Sequence, residues 1–377
     1  MKLRKDKWEQ KKLGEISTII MGQSPPSSTY NEVGEGLPFF QGKTEFTEKH
    51  PVAVKWCSKP NKIAEPNDIL ITVRAPVGAT NIANQRCCIG RGIAAIRSKE
   101  SNEFILTYLQ SVEKELSLKG TGTIFGGISG KVLLDLPIPL PPLEEQKQIA
   151  ALFQSIETAM EQVDGQEKNL HQLKHKLLRD LFSEKQEFGN HLKAKDFETV
   201  KFEKIAINIS ERVEPKKTEL TTYVGLEHLD ADNLKIERTG TPDDVIGTKL
   251  KIYKGDIIFG KRRAYLRKVA VSHFDGIASA HSMILRANEK NIEKDFLPYF
   301  MQSDTFMSRA VQISEGSLSP TIKNKTLAVQ EFILPKKEKQ KELIVVFKQF
   351  DTTIEQLKQQ KTTLKLLKQK LLNEILG

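Results

Sequence analysis

Apolar residues recur in alternating steps of three and four along two long stretches of the chain, the spacing of a heptad seam. The first stretch runs from Ile149 through Leu152, Ile156, Val163, Leu170, Leu173 and Leu177, interrupted by Gln166. The second runs from Leu343 through Val346, Phe350, Leu357, Leu364, Leu367 and Leu371, interrupted by Gln360. Each predicts a helix about 50 Å long at 1.5 Å per residue. Pro141-Pro142 and Pro335 mark the starts, where a missing N–H costs nothing. A single amphipathic rod of that length is rarely stable alone, because most helical stability comes from packing an apolar face. The two are expected to pack antiparallel through those seam residues.

The stretches are copies. LPPLEEQKQIAALFQSIETAMEQ at 140–162 matches LPKKEKQKELIVVFKQFDTTIEQ at 334–356, an offset of 194 (334 − 140). Upstream the register slips: Asp68-Ile69 matches Asp256-Ile257 at an offset of 188 (256 − 68), and Trp8-Glu9 matches Phe197-Glu198 at 189 (197 − 8). Within each copy the last third matches well and the first two-thirds only as a skeleton of strand, basic loop, strand, helix, Gly-rich turn and rod. Short strands such as NDILITVR (67–74) and GDIIFG (255–260), punctuated by glycine and followed by one helical run, predict α+β heads. The expected fold is α+β: two globular domains in tandem pseudo-symmetric repeat, separated by two long antiparallel coiled-coil helices. The expected boundaries are 1–142 and 184–335 for the heads, 143–183 and 336–377 for the helical spacers.

The 377 residues suit two domains, and a net charge of +10 makes a polyanion, nucleic acid first, a plausible partner. No apolar run approaches the roughly 20 residues needed to cross a bilayer. The start, MKLRKDKWEQKKLGEIS, lacks the apolar segment of a signal peptide, and Cys57, Cys87 and Cys88 form no Cys-x-x-Cys pair. A reducing cytoplasm is expected, and no membrane partner.

Basic residues sit beside turns. Arg74 precedes Ala-Pro-Val-Gly, Arg91 lies between Gly90 and Gly92, and Lys261, Arg262, Arg263, Arg267 and Lys268 crowd GKRRAYLRK around Tyr265. Loops carrying arginine on a rigid scaffold suit phosphates and base edges. An isolated lysine is more often only a solvated charge; the 261–268 cluster favours DNA contact. Gln23, Ser24, Gln41 and Lys43, in two polar turns, complete the candidates.

Catalytic signatures are missing. Gly36…Gly42-Lys43-Thr44 has five residues where a P-loop has four, and no Asp/Asn-Pro-Pro-aromatic loop occurs. His171 and His175 lie four apart on a predicted helix, but the residues between them are not those of a zinc motif. No catalytic and no metal-binding residue is expected. A duplicated basic chain of this kind reads as a recogniser, with a stand-alone nucleic-acid-binding or coiled-coil adaptor as the alternative.

The sequence resembles the specificity subunits of type I restriction–modification systems. The residues that carry this are Leu140-Pro141-Pro142-Leu143-Glu144-Glu145-Gln146-Lys147-Gln148-Ile149, their echo at 334–343, and Trp8-Glu9…Lys12-Leu13-Gly14-Glu15-Ile16. Asp68-Ile69-Leu70 before a basic turn completes the set. The resemblance implies a non-catalytic subunit whose two target-recognition domains each read half of a bipartite, asymmetric site in double-stranded DNA. It implies helices that set the spacing and dock two modification subunits. Those subunits carry S-adenosylmethionine and methylate adenine; restriction subunits, where a system has them, use ATP and Mg. The chain itself is expected to bind no cofactor. Lys336 and Lys337 replace the Pro142-Leu143 of the first copy, a departure that bears on docking at the second helix.

Overall fold

The computed structural model describes residues 3–121, 126–183, 185, 188–189 and 191–377. Residues 1 and 184, where two expected domain starts fall, lie outside the described residues. The chain forms two compact units, residues 1–164 with 359–377, and residues 165–358. These differ from the expected division into heads and spacers, because each unit contains part of both long helices.

In the first unit an antiparallel four-stranded sheet has the order Ser17–Met21, Ile93–Ser98, Ile69–Thr72, Thr80–Ile82. Its central strands are apolar on both faces. Ile69, Ile71, Ala94 and Ile96 enter one core while Leu70, Ile93 and Ala95 enter another, as the two-residue period of a strand requires. That is why NDILITVR reads as a nearly unbroken apolar run. A smaller mixed sheet of five short strands, from Tyr30–Asn31 to Ile63–Ala64, lies beyond the second core, and Glu9–Lys12 pairs with Pro137–Leu140. The helix Asn102–Ser111 starts at a Ser101 cap whose Oγ accepts from the Phe104 N–H.

The second unit repeats the plan. Its antiparallel sheet runs Ala206–Ile209, Met283–Ala287, Ile257–Phe259, Val269–Val271, and Phe197–Lys201 pairs with Glu331–Pro335. Ile257 and Phe259 enter one core and Ile258 another. The larger core is aromatic, with Phe202, Phe259, Phe296, Phe300, Phe306 and Phe347 all buried.

Two repeated pairs locate the matched skeleton. Asp68 is buried and takes two parallel hydrogen bonds from Arg97, at 2.9 and 2.7 Å. Asp256 takes two from Arg286, at 2.7 and 3.0 Å. These fork-shaped pairs tie two neighbouring strands in each sheet. The second is the Pro…Gln element. Gln146 Nε2 donates to Pro141 O at 3.0 Å while its Oε1 accepts from the Ser101 N–H at 3.2 Å. Gln340 makes the same bridge, to Pro335 O at 2.9 Å and from the Glu293 N–H at 2.8 Å. The motif is thus a joint: a buried amide fastens the first turn of each rod to the end of the preceding strand and to the segment that leads into a head helix.

The long helices span Leu143–Leu181 and Lys337–Leu376. Within the first unit they run antiparallel, since Glu157 pairs with Lys368 and Asp164 with Lys361, seven on along one and seven back along the other. Within the second unit Lys174 faces Asp351 in the same sense. Their ends are built into the head cores. Ile149, Phe153, Leu372, Ile375 and Leu376 complete the first unit's core. Leu178, Leu181, Leu343, Ile344 and Phe347 complete the second's. That burial explains why the compact units cut across the rods.

Of the expected seam residues, Ile156, Val163 and Leu357 are buried, and Leu152, Leu170, Leu177, Phe350, Leu364 and Leu371 are half-buried. Leu173, Val346 and Leu367 are corrected. They are 46%, 44% and 43% exposed, while Phe153, Lys174, Phe347 and Lys368 face inward beside them. A straight α-helix turns 3.6 residues per turn, so a strict 3.5 repeat drifts about 20° per heptad and hands the buried face to the next residue along.

Candidate nucleic-acid interface

In the first unit the polar turns converge. Ser24 Oγ accepts from Gln41 Nε2 at 3.3 Å and from the Arg91 N–H at 3.2 Å, and the Gln23 N–H donates to Ile89 O at 3.0 Å. A side chain at position 92 would meet Gln41 O at 2.1 Å, so only glycine lets the Arg91 loop lie this close. The Val73 N–H donates to Gly92 O at 2.9 Å, which brings the exposed Arg74 to the same edge. Arg74 forms an antiparallel bridge with Gly127. Among the described residues neither Arg74 nor Arg91 has a carboxylate partner for its side chain. Gln23, Ser24, Gln41, Arg74 and Arg91 therefore form one rim. Lys43 is apart from it, lining a cavity of about 390 Å³ with Gln110, Met160, Lys365 and Lys368.

In the second unit Arg262 is the repeat-mate of Arg74, and it bridges Thr321, the repeat-mate of Gly127. Here the side chains are anchored. Arg262 Nη2 donates to Ser319 Oγ at 3.0 Å and its Nη1 lies 3.3 Å from His281 Nε2. Arg263 Nη2 reaches the same Ser319 Oγ at 3.4 Å. Arg263 and Arg267 hold φ of 59° and 55°, left-handed backbone uncommon for residues with a Cβ. They bracket the short turn Ala264–Leu266, so the surrounding contacts must supply about 1–3 kcal/mol each to keep that shape. Tyr265 projects from the turn, 53% exposed.

Two expected contacts are corrected. Arg267 is tied to Asp232 at 2.8 Å, Asp304 at 2.9 Å and Gln302 O at 2.6 Å. Lys268 Nζ donates to Leu226 O at 2.6 Å. Both are spent on fastening the turn to its own unit, because inward-facing cations must be paired. Lys261, Arg262, Arg263 and Tyr265 remain on the rim.

The rim also gathers His281, Ser319 and Arg212, which sequence reasoning missed. Their signal was weak: Arg212 aligns with Gln23 at the 189-residue offset (212 − 23), and His281 with Gly92 (281 − 92). Burial, then neighbouring Arg212, holds the Lys261 ammonium below its usual range. Burial, then Arg262, Lys261 and Lys249, lowers His281. The neighbouring cations, the second cause in each case, are what suits this rim to an anion. The thiols play no part: burial pushes Cys87 and Cys88 up to about 12. His171 and His175 face Glu167 and Asp232 at 3.8 and 3.7 Å, and no cluster of three metal-ligating side chains occurs among the described residues. No helix among them is long and apolar enough to cross a membrane.

A family model described as type I restriction modification DNA specificity domain matches twice, over residues 5–172 and 194–366. The putative type I restriction enzyme MjaX specificity subunit of Methanocaldococcus jannaschii is 44% identical over 183 residues. That match covers 47% of this chain and 43% of the relative, so the chain spans less than half of that protein. The MjaVIII specificity subunit of the same organism is 24% identical over 98% of this chain and 92% of its own length. The solved S subunit of a type I restriction–modification system from M. genitalium shares the fold, with a TM-score of 0.58, 16% identity, and coverage of 100% of this chain and 98% of that one.

Proposed function

The chain belongs to the type I restriction modification DNA specificity family, and from that membership we propose that each unit reads one half of a bipartite, asymmetric site in double-stranded DNA. The observation that carries this is the repeated placement of Arg74 and Arg262, each bridged to the residue at the same place ahead of a short helix (Gly130–Leu134 and Asn324–Ala328), within unlike surroundings. A shared scaffold presents the same reach toward DNA, and different neighbours select different bases: Gln23, Ser24, Gln41 and Arg91 in one unit, Arg212, Lys261, Arg263, Tyr265 and His281 in the other. Arginine can bridge guanine O6 and N7 or hold a phosphate, and glutamine can pair with adenine.

The rods set the gap between half-sites and dock two modification subunits. Leu173 and Leu367 are repeat-mates and both are exposed apolar residues on the rods. The repeat gives both rods the same residue at this register position, and the docking itself is inferred from the family membership. S-adenosylmethionine belongs to those partners, and ATP and Mg to a restriction subunit where one joins; this chain recognises and does not catalyse.

The test is purification of the chain with and without a methyltransferase encoded beside it. Methylation of one discontinuous sequence only with both present is the expected result. Robust methylation by the chain alone overturns the reading. Exchanging residues 1–135 for those of a relative is expected to change one half-site and leave the other; a change in both overturns the assignment of one half to each unit.

A further inference from the structure

A hairpin tip in the second unit carries an apolar side chain that the fold does not use. The Glu315 N–H donates to Thr321 O at 3.1 Å and the Thr321 N–H returns to Glu315 O at 2.9 Å, closing the loop 316–320. Gly316, at φ +104°, makes the turn that only glycine adopts readily. Leu318 stands at the tip, 89% exposed. The loop is held on the basic rim. Ser319 Oγ accepts from both Arg262 and Arg263, and Pro320 O accepts from the Arg263 N–H at 2.7 Å. An apolar side chain thus stands one residue from the hydroxyl that two guanidinium groups hold. The 194-residue offset (318 − 124) places Ile124, outside the described residues, at the corresponding position of the first copy.

We propose that Leu318 is a specificity-determining residue that reads the C5-methyl group of a thymine in the half-site of the second unit. The inference rests on the DNA-reading function proposed above and adds to it one base, one atom and one residue. The flanking arginines draw the tip onto the duplex through phosphate or guanine contacts, and neither group can report a methyl. In the major groove that methyl is the apolar feature that marks a thymine among the four bases, and an apolar side chain is what contacts it. Serine or proline at the neighbouring positions offers less apolar surface at the tip, so Leu318 is the side chain that can make the contact.

The experiment uses the full chain assembled with its modification subunit on the duplex that complex methylates. Each thymine in the half-site assigned to the second unit is replaced in turn by uracil, which removes only the methyl. One replacement is expected to weaken binding by the wild-type complex about fourfold, the value of one buried methylene-sized group. The Leu318→Ala complex is expected to bind thymine and uracil duplexes equally, and Leu318→Met to restore the preference. Leu318 is exposed, so folding is not at risk. The proposal is overturned if no uracil weakens wild-type binding, if wild type and L318A respond alike, or if that half-site holds no thymine. Failure of the wild-type complex to select any bipartite sequence instead overturns the DNA-reading function, and this inference with it.

Discussion

Lys174 Nζ lies 2.5 Å from Asp351 Oδ1 across the two long helices of the second unit, and its repeat-mate Lys368 meets Glu157, the repeat-mate of Asp351, at 2.8 Å in the first. The pairs are equivalent in sequence and unequal in setting. Lys174 is only 6% exposed, its ammonium lying 5.2 Å from the Tyr299 ring centre, with Tyr299 O–H donating to Asp351 Oδ2 at 2.7 Å. Lys368 is half-buried and shares its surroundings with a cavity.

That difference predicts unequal costs. Asp351→Ala leaves a buried ammonium with Gln302 Oε1 at 3.4 Å and the Tyr299 ring at 5.2 Å, and is expected to lose about 2–3 kcal/mol, below the full buried-pair value because Asp351 is partly exposed. Glu157→Ala is expected to cost under about 1 kcal/mol. Thermal unfolding of the two variants checks the order; equal shifts would mean the buried setting is irrelevant.

The glutamine joints predict a mechanical effect as well as a loss of stability. Gln146→Ala or Gln340→Ala strands a buried carbonyl and an N–H, at about 2–3 kcal/mol. It also loosens the angle between rod and head. Methylation assays on duplexes with the gap lengthened or shortened by one base pair are expected to show reduced discrimination between spacings for either variant. Unchanged spacing preference with lowered stability would make the amide a packing element only.

Arg263 and Arg267 lie four residues apart and are predicted to behave oppositely. Arg263→Ala is expected to weaken DNA binding and reduce the slope of log affinity against log salt by about 1. Arg267→Ala takes the guanidinium from Asp304 and leaves Asp232 only His175, at 3.7 Å, and is expected to lower the unfolding midpoint while leaving the salt slope unchanged. Fluorescence anisotropy across a salt series, with a denaturation curve for each variant, separates the two roles.

His281 predicts a pH dependence. Its folded value is lowered by burial and by Arg262, Lys261 and Lys249. In the free protein, protonation therefore favours the unfolded chain: the small penalty is absent above the unfolded value of about 6.5 and appears as pH falls below it. A bound phosphate reverses the local field and favours the imidazolium. DNA affinity at low salt is expected to rise as pH falls from about 8 to 6, and His281→Ala to flatten that rise. Affinity titrations at three pH values suffice; identical pH profiles for variant and wild type would remove His281 from the interface.

The duplication, the two rods and the repeated Pro…Gln residues, though not their role as joints, were legible in the sequence, because heptad spacing and internal self-match are local properties that survive without knowledge of any partner. Asp68-Ile69 and Asp256-Ile257 were visible as a match, but their fork-shaped arginine partners, Arg97 and Arg286, sit 29 and 30 residues downstream and could not be paired by inspection. Lys43 was grouped with Gln41 by proximity in sequence, and the chain turns it to another face within two residues.

What the sequence determined by itself was the plan: a doubled α+β unit, two long amphipathic helices, a basic balance and motifs that match no catalytic site. Only the tertiary structure decided which charges remain for a ligand. GKRRAYLRK presents five cations in nine positions, and distant groups, Asp232 and Asp304 for Arg267 and the Leu226 carbonyl for Lys268, bind two of them inward. The pattern of apolar residues is a sum of local preferences that one strand of text can carry. The partner of a charge is chosen by whatever the fold brings beside it, and that choice exists only in three dimensions.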